Sequence, residues 1–195
     1  MQIIEWTNFQ EKGLQKKNTF YSVTVGIFDG VHRGHQELIK RVVSHNAGFV
    51  PVVVTFRENH KTNNKYLITN DQGEILSFQQ RIKLFERFGV KIAVVIDFSE
   101  KIRQTSGLDF LNILMEHCNI GFFAVGADFK CGFKLDTDAK AIQKFFVSHD
   151  IPSEIVPQVM EGALPVSSSR IRAAIAQGNT TLAQKMLGHD KMEEI

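Results

Sequence analysis

The chain has 195 residues, a net charge of +2, 43% hydrophobic residues and 23% charged residues. These values are typical of a soluble globular protein and favour one domain, or one domain with a small appendage. Lys and Arg form no dense stripe, which argues against nucleic-acid binding, and no apolar run is long enough to span a bilayer.

The N-terminal residues 1–9 lack the basic start and the long apolar run of a signal peptide. Cys118 and Cys131 form neither a metal-type spacing nor a disulfide framework, so we interpret them as small, semi-buried side chains. A cytoplasmic location is therefore the default expectation.

From residue 22 onward, strand patterns and helix patterns alternate along the chain. Strands are predicted over residues 22–28, 50–56, 90–97, 120–125 and 153–159, and helices over 34–44, 77–89, 106–117, 137–149, 168–177 and 180–187. A long polar loop is predicted over 57–73. This alternation predicts an α/β fold in which helices cover both faces of a parallel sheet. Ligands of such folds bind beyond the carboxyl ends of the strands.

Segment 26–35, Gly-Ile-Phe-Asp-Gly-Val-His-Arg-Gly-His, joins the first predicted strand to the first predicted helix. Unpaired N–H groups at a helix start attract phosphate, and glycines let a ligand approach the backbone closely. His32 and His35 are three residues apart, so they share a face and are placed to donate to phosphate oxygens. A glycine turn or a lone histidine means little by itself, but this combination predicts a site for a nucleotide polyphosphate.

Segment 166–172, Val-Ser-Ser-Ser-Arg-Ile-Arg, follows the last predicted strand. Its hydroxyl groups can cap a helix and donate to phosphate, and Arg172 offers a planar fork that suits phosphate oxygens. Taken alone, the segment also fits a plain serine N-cap with a surface arginine. Because both segments follow strands of one parallel sheet, we expect them to meet at one edge of it.

Two further polar segments also follow predicted strands. Asp128 is placed to hydrogen-bond a ring edge or a ribose, and Phe129 to stack on an aromatic ring. A turn in which Asp128 accepts local backbone N–H groups explains that pattern equally well. Asn59 and His60 are weaker candidates for a ligand contact, since polar loops commonly contain both residue types.

Together these residues resemble the adenylyltransferase domain of the bacterial bifunctional FAD synthetases, which combine a riboflavin kinase with an FMN adenylyltransferase. The family's Gly-x-Phe-Asp-Gly-x-His-x-Gly-His pattern is complete at 26–35, and its Ser-Ser-[Ser/Thr]-Arg-Ile-Arg pattern is complete at 167–172. Leu187-Gly188 is similar to the closing Leu-Leu-Gly. The resemblance implies a Rossmann-like nucleotidyltransferase fold and a single adenylyltransferase domain over 1–195, with the riboflavin kinase domain absent.

The resemblance also implies a reaction, in which AMP is transferred from ATP to FMN to give FAD and pyrophosphate. Mg²⁺ would be held by the phosphates and not by protein side chains, and small nucleotides would be the only partners, with no nucleic acid, membrane or obligate protein partner. His32, His35 and Arg172 are implied to be catalytic. The residues implied to bind ATP are Gly26, Ile27, Phe28, Asp29, Gly30, His32, Gly34, His35, Ser167, Ser168, Ser169 and Arg172, and those implied to bind FMN are Asn59, His60, Asp128 and Phe129.

Three departures from the family pattern lie on the flavin side. Thr-Phe-x-Pro-His-Pro is replaced by Thr-Phe-Arg-Glu-Asn-His at 55–60, Asp-Phe-x-Phe-Gly by Asp-Phe-Lys-Cys-Gly at 128–132, and Arg-x-Gly-Asp by Leu-Asp-Thr-Asp at 135–138. These changes concern FMN binding more than ATP binding. Two alternatives therefore stay open: a nucleotidyltransferase that uses another phosphate acceptor, such as phosphopantetheine, nicotinamide mononucleotide or glycerol phosphate, and a non-catalytic module that binds flavin nucleotides.

Overall fold

A computed structural model of the chain describes residues 1–14, 18–57 and 73–189. In chain order, its elements are β1 (Gln2–Glu5), α1 (Trp6–Lys12), β2 (Phe20–Val25), α2 (Arg33–Ser44), β3 (Phe49–Phe56), α3 (Phe78–Arg87), β4 (Ile92–Ile96), α4 (Glu100–Gln104), α5 (Gly107–His117), β5 (Ile120–Gly126), β6 (Lys130–Cys131), β7 (Thr137–Asp138), α6 (Ala139–Val147), β8 (Ser153–Val156), β9 (Met160–Glu161), β10 (Leu164–Pro165), α7 (Ser168–Ala176) and α8 (Thr180–Leu187). Single 3₁₀ turns occupy Asp29–Val31 and Phe133–Leu135.

The central sheet has six parallel strands in the order β1-β4-β3-β2-β5-β8. Strand β2 lies between β3 and β5, so the segments that follow these three strands emerge side by side at one edge of the sheet. The predicted α/β fold with a parallel sheet is confirmed. The hairpin β9–β10 and the small ladder β6–β7 are antiparallel and stand apart from this sheet.

Helices cover both faces of the sheet, and each face has its own apolar cluster. Val52 and Val54 of β3 point to the cluster that α1, α5 and α6 complete, whereas Val53 points to the cluster formed with α2, α3, α7 and α8. This alternation follows from the two-residue period of a strand. Because both faces are buried, β3, β4 and β5 are nearly continuous apolar runs, as parallel strands usually are.

Several helix boundaries are set by side-chain caps that the sequence predicts. Ser77 accepts from the N–H of Gln80, whose side chain accepts from the N–H of Ser77, so the predicted capping box is present. Ser106 likewise caps α5, and Gly188 ends α8 with a left-handed φ of 69°. The predicted positions of these helices are confirmed.

The sequence analysis missed the edge strand β1 and the helix α1 at the start of the chain. The bounds of the first predicted strand, 22–28, are also wrong, since β2 begins at Phe20 and ends at Val25. Phe28 instead adopts a left-handed φ of 57° before the 3₁₀ turn. Its ring is fully buried, so its apolar character reflects burial under a turn and not a place in a strand. Strand β8 is also shorter than predicted, since it ends at Val156.

Most of the predicted polar loop at 57–73 lies outside the described residues. No helix within 1–14, 18–57 and 73–189 combines the length and the apolar character needed to cross a membrane.

Candidate active site

The histidine segment leaves the sheet at the end of β2 and turns sharply into α2. Phe28 lies beneath this turn, edge-on to the rings of His35 and Phe85 at centroid distances of 5.1 and 5.4 Å. A Cβ on Gly26 would lie only 3.1 Å from the Phe28 ring. A side chain at residue 26 would push the ring by a few tenths of an ångström, so Gly26 favours the close packing of the ring against the strand end, where the ring contacts His35.

His32 and His35 stack on each other at the start of α2, with ring centroids 3.6 Å apart and planes inclined by 17°. His32 is the N-cap of the helix, because its Nδ1 accepts from the backbone N–H of His35 at 3.4 Å. In the neutral ring the proton then sits on Nε2, which makes this nitrogen a donor. Nδ1 of His35 is buried and has no hydrogen-bond partner among the described residues.

Both imidazoles are neutral near pH 7. Burial lowers the pKa of His32 to about 4, and the nearby carboxylate of Asp128 opposes this shift. Burial also holds the pKa of His35 well below its usual value, and the charge that His32 carries when protonated and the charge of Arg81 act in the same direction. The pair is therefore a set of neutral donors and acceptors and not a pair of cations.

The serine–arginine segment meets the histidine segment at Asp29. Arg172 donates from Nη1 to Oδ2 of Asp29 at 2.6 Å, and Ser168 donates from Oγ to the carbonyl oxygen of Asp29 at 2.9 Å. The other carboxylate oxygen of Asp29 accepts from the N–H of Ile75 at 2.9 Å. Burial raises the pKa of Asp29, while the hydrogen bond from Ile75 and the charge of Arg172 act against this. The expected meeting of the two segments is therefore present in the structure.

Arg172 still has an N–H group that can donate to a ligand. Its Nε is buried and has no hydrogen-bond partner among the described residues. The start of α7 adds further polar groups: Ser167 is the N-cap and accepts from the N–H of Arg170, and Ser169 is exposed on the first turn. A helix N-terminus with an exposed serine and an arginine is suited to bind phosphate.

The residues at the C-terminal end of α8 form hydrogen bonds with the histidine segment and with the start of α2. Gln36 donates from Nε2 to the carbonyl oxygens of Val31 and Leu187 at 2.9 and 2.6 Å. The ring of His189 lies 2.9 Å from the carbonyl oxygen of Gly30. Gly30 has a φ of 77°, and a Cβ there would lie 3.1 Å from Ile75, so the turn needs glycine for both reasons.

The four residues predicted to contact FMN differ in their surroundings. Asp128 is exposed after the end of β5 and lies close enough to His32 for its charge to act on the imidazole. Phe129 is half-buried and packs against the apolar cluster on the α1, α5 and α6 side of the sheet. Asn59 and His60 lie outside the described residues.

Arg81 is a site residue that the sequence analysis missed. Its side chain is 1% exposed, and its guanidinium donates to the carbonyl oxygens of Ile27, Phe56 and Arg57 at 2.7, 3.0 and 2.7 Å. A signal was present, since Arg81 precedes the buried Leu84 by three positions and therefore lies on the apolar face of α3.

Within the described ranges 1–14, 18–57 and 73–189, no three or more His, Cys, Asp or Glu side chains are grouped so as to hold a metal ion. Mg²⁺ commonly keeps several waters and binds through one or two carboxylates together with substrate phosphates. A magnesium ion carried on a bound triphosphate is compatible with this donor set.

The family model described as FAD synthetase matches residues 14–170 of the chain. The bifunctional riboflavin kinase/FMN adenylyltransferases of Buchnera aphidicola and Escherichia coli K12 are 28% and 27% identical to it, over 90% and 86% of this chain. The FAD synthetase of Listeria monocytogenes is 25% identical over 86% of this chain and 68% of its own length. The chain spans only 57% and 54% of the two bifunctional relatives.

Solved structures agree with the fold. The crystal structure of a protein named macrolide-efflux protein from Streptococcus pneumoniae has a TM-score of 0.79 and 28% identity, and covers 96% of this chain and 60% of its own. A pantoate–beta-alanine ligase from Francisella tularensis, at 15% identity and a TM-score of 0.59 over all of this chain and 82% of its own, shares the fold alone. The predicted Rossmann-like nucleotidyltransferase fold is confirmed. With the family model matching most of the sequence, the chain belongs to the FAD synthetase family.

Proposed function

We propose that the chain is an FMN adenylyltransferase that joins FMN to the AMP part of ATP and releases pyrophosphate. The observation that carries this proposal is the contact of Ser168 and Arg172 with Asp29, because it sets the serine–arginine segment against the stacked histidines. Membership of the FAD synthetase family supports the choice of reaction. We infer that residues 1–195 serve as one adenylyltransferase unit.

The two histidines would bind the α- and β-phosphates of ATP. As a neutral ring whose Nδ1 is occupied by the N–H of His35, His32 has Nε2–H available to donate to a phosphate oxygen. A neutral donor in a largely buried site stabilises the charge that grows during transfer without losing a proton. His35 would act beside it, held by Phe28 and by the stacked ring of His32.

Arg172, with Ser168 and Ser169, would bind the β- and γ-phosphates. The carboxylate of Asp29 occupies Nη1 of Arg172 and fixes the orientation of the guanidinium, so its remaining N–H groups face a defined direction. Gly26, Gly30 and Gly34 leave the backbone close to the nucleotide, as phosphate-binding turns require.

The FMN phosphate is the nucleophile in this reaction. Its second pKa is about 6 by analogy with phosphorylated side chains, so it is largely ionised at neutral pH and needs no general base. One of its oxygens forms a bond to the α-phosphorus of ATP while the bond between that phosphorus and the α–β bridging oxygen breaks, and pyrophosphate leaves with the bonding electrons. Mg²⁺, when bound to the phosphates, would offset their negative charge. The protein therefore acts by alignment and charge stabilisation.

On the flavin side, we propose that Asp128 and Phe129 after β5 and Asn59 and His60 after β3 contact FMN. Strand β5 is a neighbour of β2, so Asp128 and Phe129 follow a strand next to the one that leads into the histidine segment. The carboxylate of Asp128 is exposed and lies close enough to His32 to act on its imidazole, which supports a role for Asp128 beside the bound nucleotides.

The proposal is tested by incubating the purified chain with ATP, Mg²⁺ and FMN and separating the flavins by chromatography. We expect FAD and pyrophosphate to form in equal amounts, with none formed when Mg²⁺ is chelated. Parallel reactions contain phosphopantetheine, nicotinamide mononucleotide or glycerol phosphate in place of FMN. Pyrophosphate release with one of these acceptors but not with FMN would refute the FMN assignment. Tight FMN or FAD binding without any pyrophosphate release would refute catalysis and identify a binding module.

A further inference from the structure

Arg81 is a fully buried cation placed beneath the proposed phosphate site. It lies on the core-facing side of α3 and is 1% exposed. Burial lowers its pKa, and the carboxylate of Glu74, whose Oε1 is 3.8 Å from Nη2, only partly opposes this shift. Removing a guanidinium from water is costly unless several acceptors surround it. A guanidinium in this position therefore needs hydrogen-bond acceptors around it, and a smaller or apolar residue would not bind those acceptors.

Those acceptors are backbone carbonyls at the ends of two neighbouring strands. Nη1 donates to the carbonyl oxygens of Ile27 and Phe56 at 2.7 and 3.0 Å, and Nη2 donates to that of Arg57 at 2.7 Å. Ile27 belongs to the histidine segment after β2, whereas Arg57 begins the segment after β3. One planar fork thus joins the two segments just past the point where their ladder hydrogen bonds end.

A second, weaker link supports the same junction. Thr55 donates from Oγ1 to the carbonyl oxygen of Ile27 at 3.2 Å, and this oxygen also accepts from Nη1 of Arg81. Thr55 is itself fully buried on β3. The carbonyl of Ile27, one residue before Phe28 and five before His32, is therefore fixed from β3 and from α3 together.

We propose that Arg81 is a positioning residue for the transfer reaction: by binding these three carbonyls it fixes the start of the ATP-binding segment against the end of β3. This inference rests on the proposed function. Transfer requires the FMN phosphate to approach the α-phosphorus in line, and a misplacement of about 1 Å in such a geometry costs about a hundredfold in rate. Arg81 contacts neither substrate in this scheme and acts only through the backbone that holds them.

The test uses Arg81→Lys, which keeps the charge but loses the planar fork, and Arg87→Lys, an exposed position on the same helix, as the matched control. Calorimetric titration with Mg²⁺-ATP gives the number of intact sites and the ATP affinity, and FAD formation is then expressed per intact site. We expect kcat per site to fall about 10- to 100-fold in Arg81→Lys, with ATP affinity within about threefold of wild type. The control should match wild type in every quantity.

A purely structural role would lower the number of intact sites and leave kcat per site unchanged, and that result overturns the inference. If Arg81→Lys does not fold, the inference is tested with Thr55→Val. This variant removes the second hydrogen bond to the Ile27 carbonyl and leaves the side-chain volume nearly constant. A several-fold lower kcat per site with unchanged ATP affinity supports the inference, and an unchanged kcat refutes it. Failure of wild type to form FAD is a separate result, since it rejects the proposed function itself.

Discussion

Arg172 and Asp29 form a short ion pair, with Nη1 and Oδ2 2.6 Å apart, although 143 positions separate them in the sequence. The arginine side chain is 12% exposed and the aspartate side chain 5%, so water screens the pair only weakly. Asp29 lies in the histidine segment and Arg172 in the serine–arginine segment. The pair therefore joins the two halves of the proposed ATP site and sets the direction of the guanidinium.

Arg172→Lys should weaken ATP binding about tenfold or more, because a lysine keeps the charge but cannot bind Asp29 and phosphate with one planar fork. The buried carboxylate of Asp29 would also lose its partner, so we expect the free energy of unfolding to fall by about 1–3 kcal/mol. Calorimetry with Mg²⁺-ATP and urea denaturation measure the two effects. Arg41→Lys, at an exposed position on α2, is the control. An unchanged ATP affinity would remove Arg172 from the site.

His32→Ala and His35→Ala should each lower turnover by about 10²–10³, as loss of one donor to developing charge does in other enzymes. His32→Ala also removes the N-cap of α2, which costs about 1 kcal/mol of stability. His32→Asn retains a capping oxygen, so it should recover most of the stability without recovering turnover. His149→Ala, at an exposed position after α6, serves as the unaffected control. Wild-type turnover in both alanine variants would exclude the histidines from the reaction.

Much of this architecture was predictable because local and global preferences agree. β-Branched runs such as Val52-Val53-Val54 form buried parallel strands, and Ser77 with Gln80 begins α3. A parallel topology brings the segments that follow its strands to one edge, so the sequence predicts that the two motifs lie at the same edge. Strand order does not bring them into contact, since β5 lies between β2 and β8 and the β9–β10 hairpin precedes α7.

The parts that sequence reasoning missed depend on tertiary contacts. Phe28 looks like a strand residue, but its buried ring and left-handed φ belong to a turn that Gly26 favours. The pairing of Asp29 with Arg172 has no local signal, since each residue alone fits a cap or a surface position. A helical arginine is usually exposed, so the sequence gives little reason to expect Arg81 in the core. Its spacing from Leu84 and Phe85 nevertheless puts it on the core-facing side of α3.

Stability should fall as the pH drops below neutrality, because His32 titrates at a lower pH in the folded state. Its pKa is about 4 when folded, against an ordinary value of 6.5, so between these values the unfolded chain binds more protons. The contribution of His32 is complete above about pH 6.5 and is lost progressively toward pH 4. Between pH 7 and pH 5 this amounts to about 2 kcal/mol.

The variant His32→Asn separates this contribution from that of Asp29. The raised pKa of Asp29 increases stability as the pH falls, but Asp29 is present in both proteins and its effect cancels in the comparison. The difference in unfolding free energy between wild type and His32→Asn, taken from urea denaturation at each pH, should shift by that amount in favour of the variant at pH 5. A difference that stays constant from pH 7 to pH 5 would show that His32 is not held neutral by burial.

Gly34→Ala should separate activity from stability. Gly34 lies in the first turn of α2, where alanine is normally favoured over glycine by up to about 1 kcal/mol. A Cβ there would lie 3.2 Å from Cε1 of His32 and 3.3 Å from Nδ1, so the imidazole must shift by a few tenths of an ångström. We expect the free energy of unfolding to change by less than about 1 kcal/mol while turnover falls about tenfold, since the His32 donor is displaced from its phosphate. Gly73→Ala, where an added Cβ meets nothing within 4 Å, is the matched control. Turnover of Gly34→Ala within about twofold of wild type would mean that the position of the His32 ring is not critical for transfer.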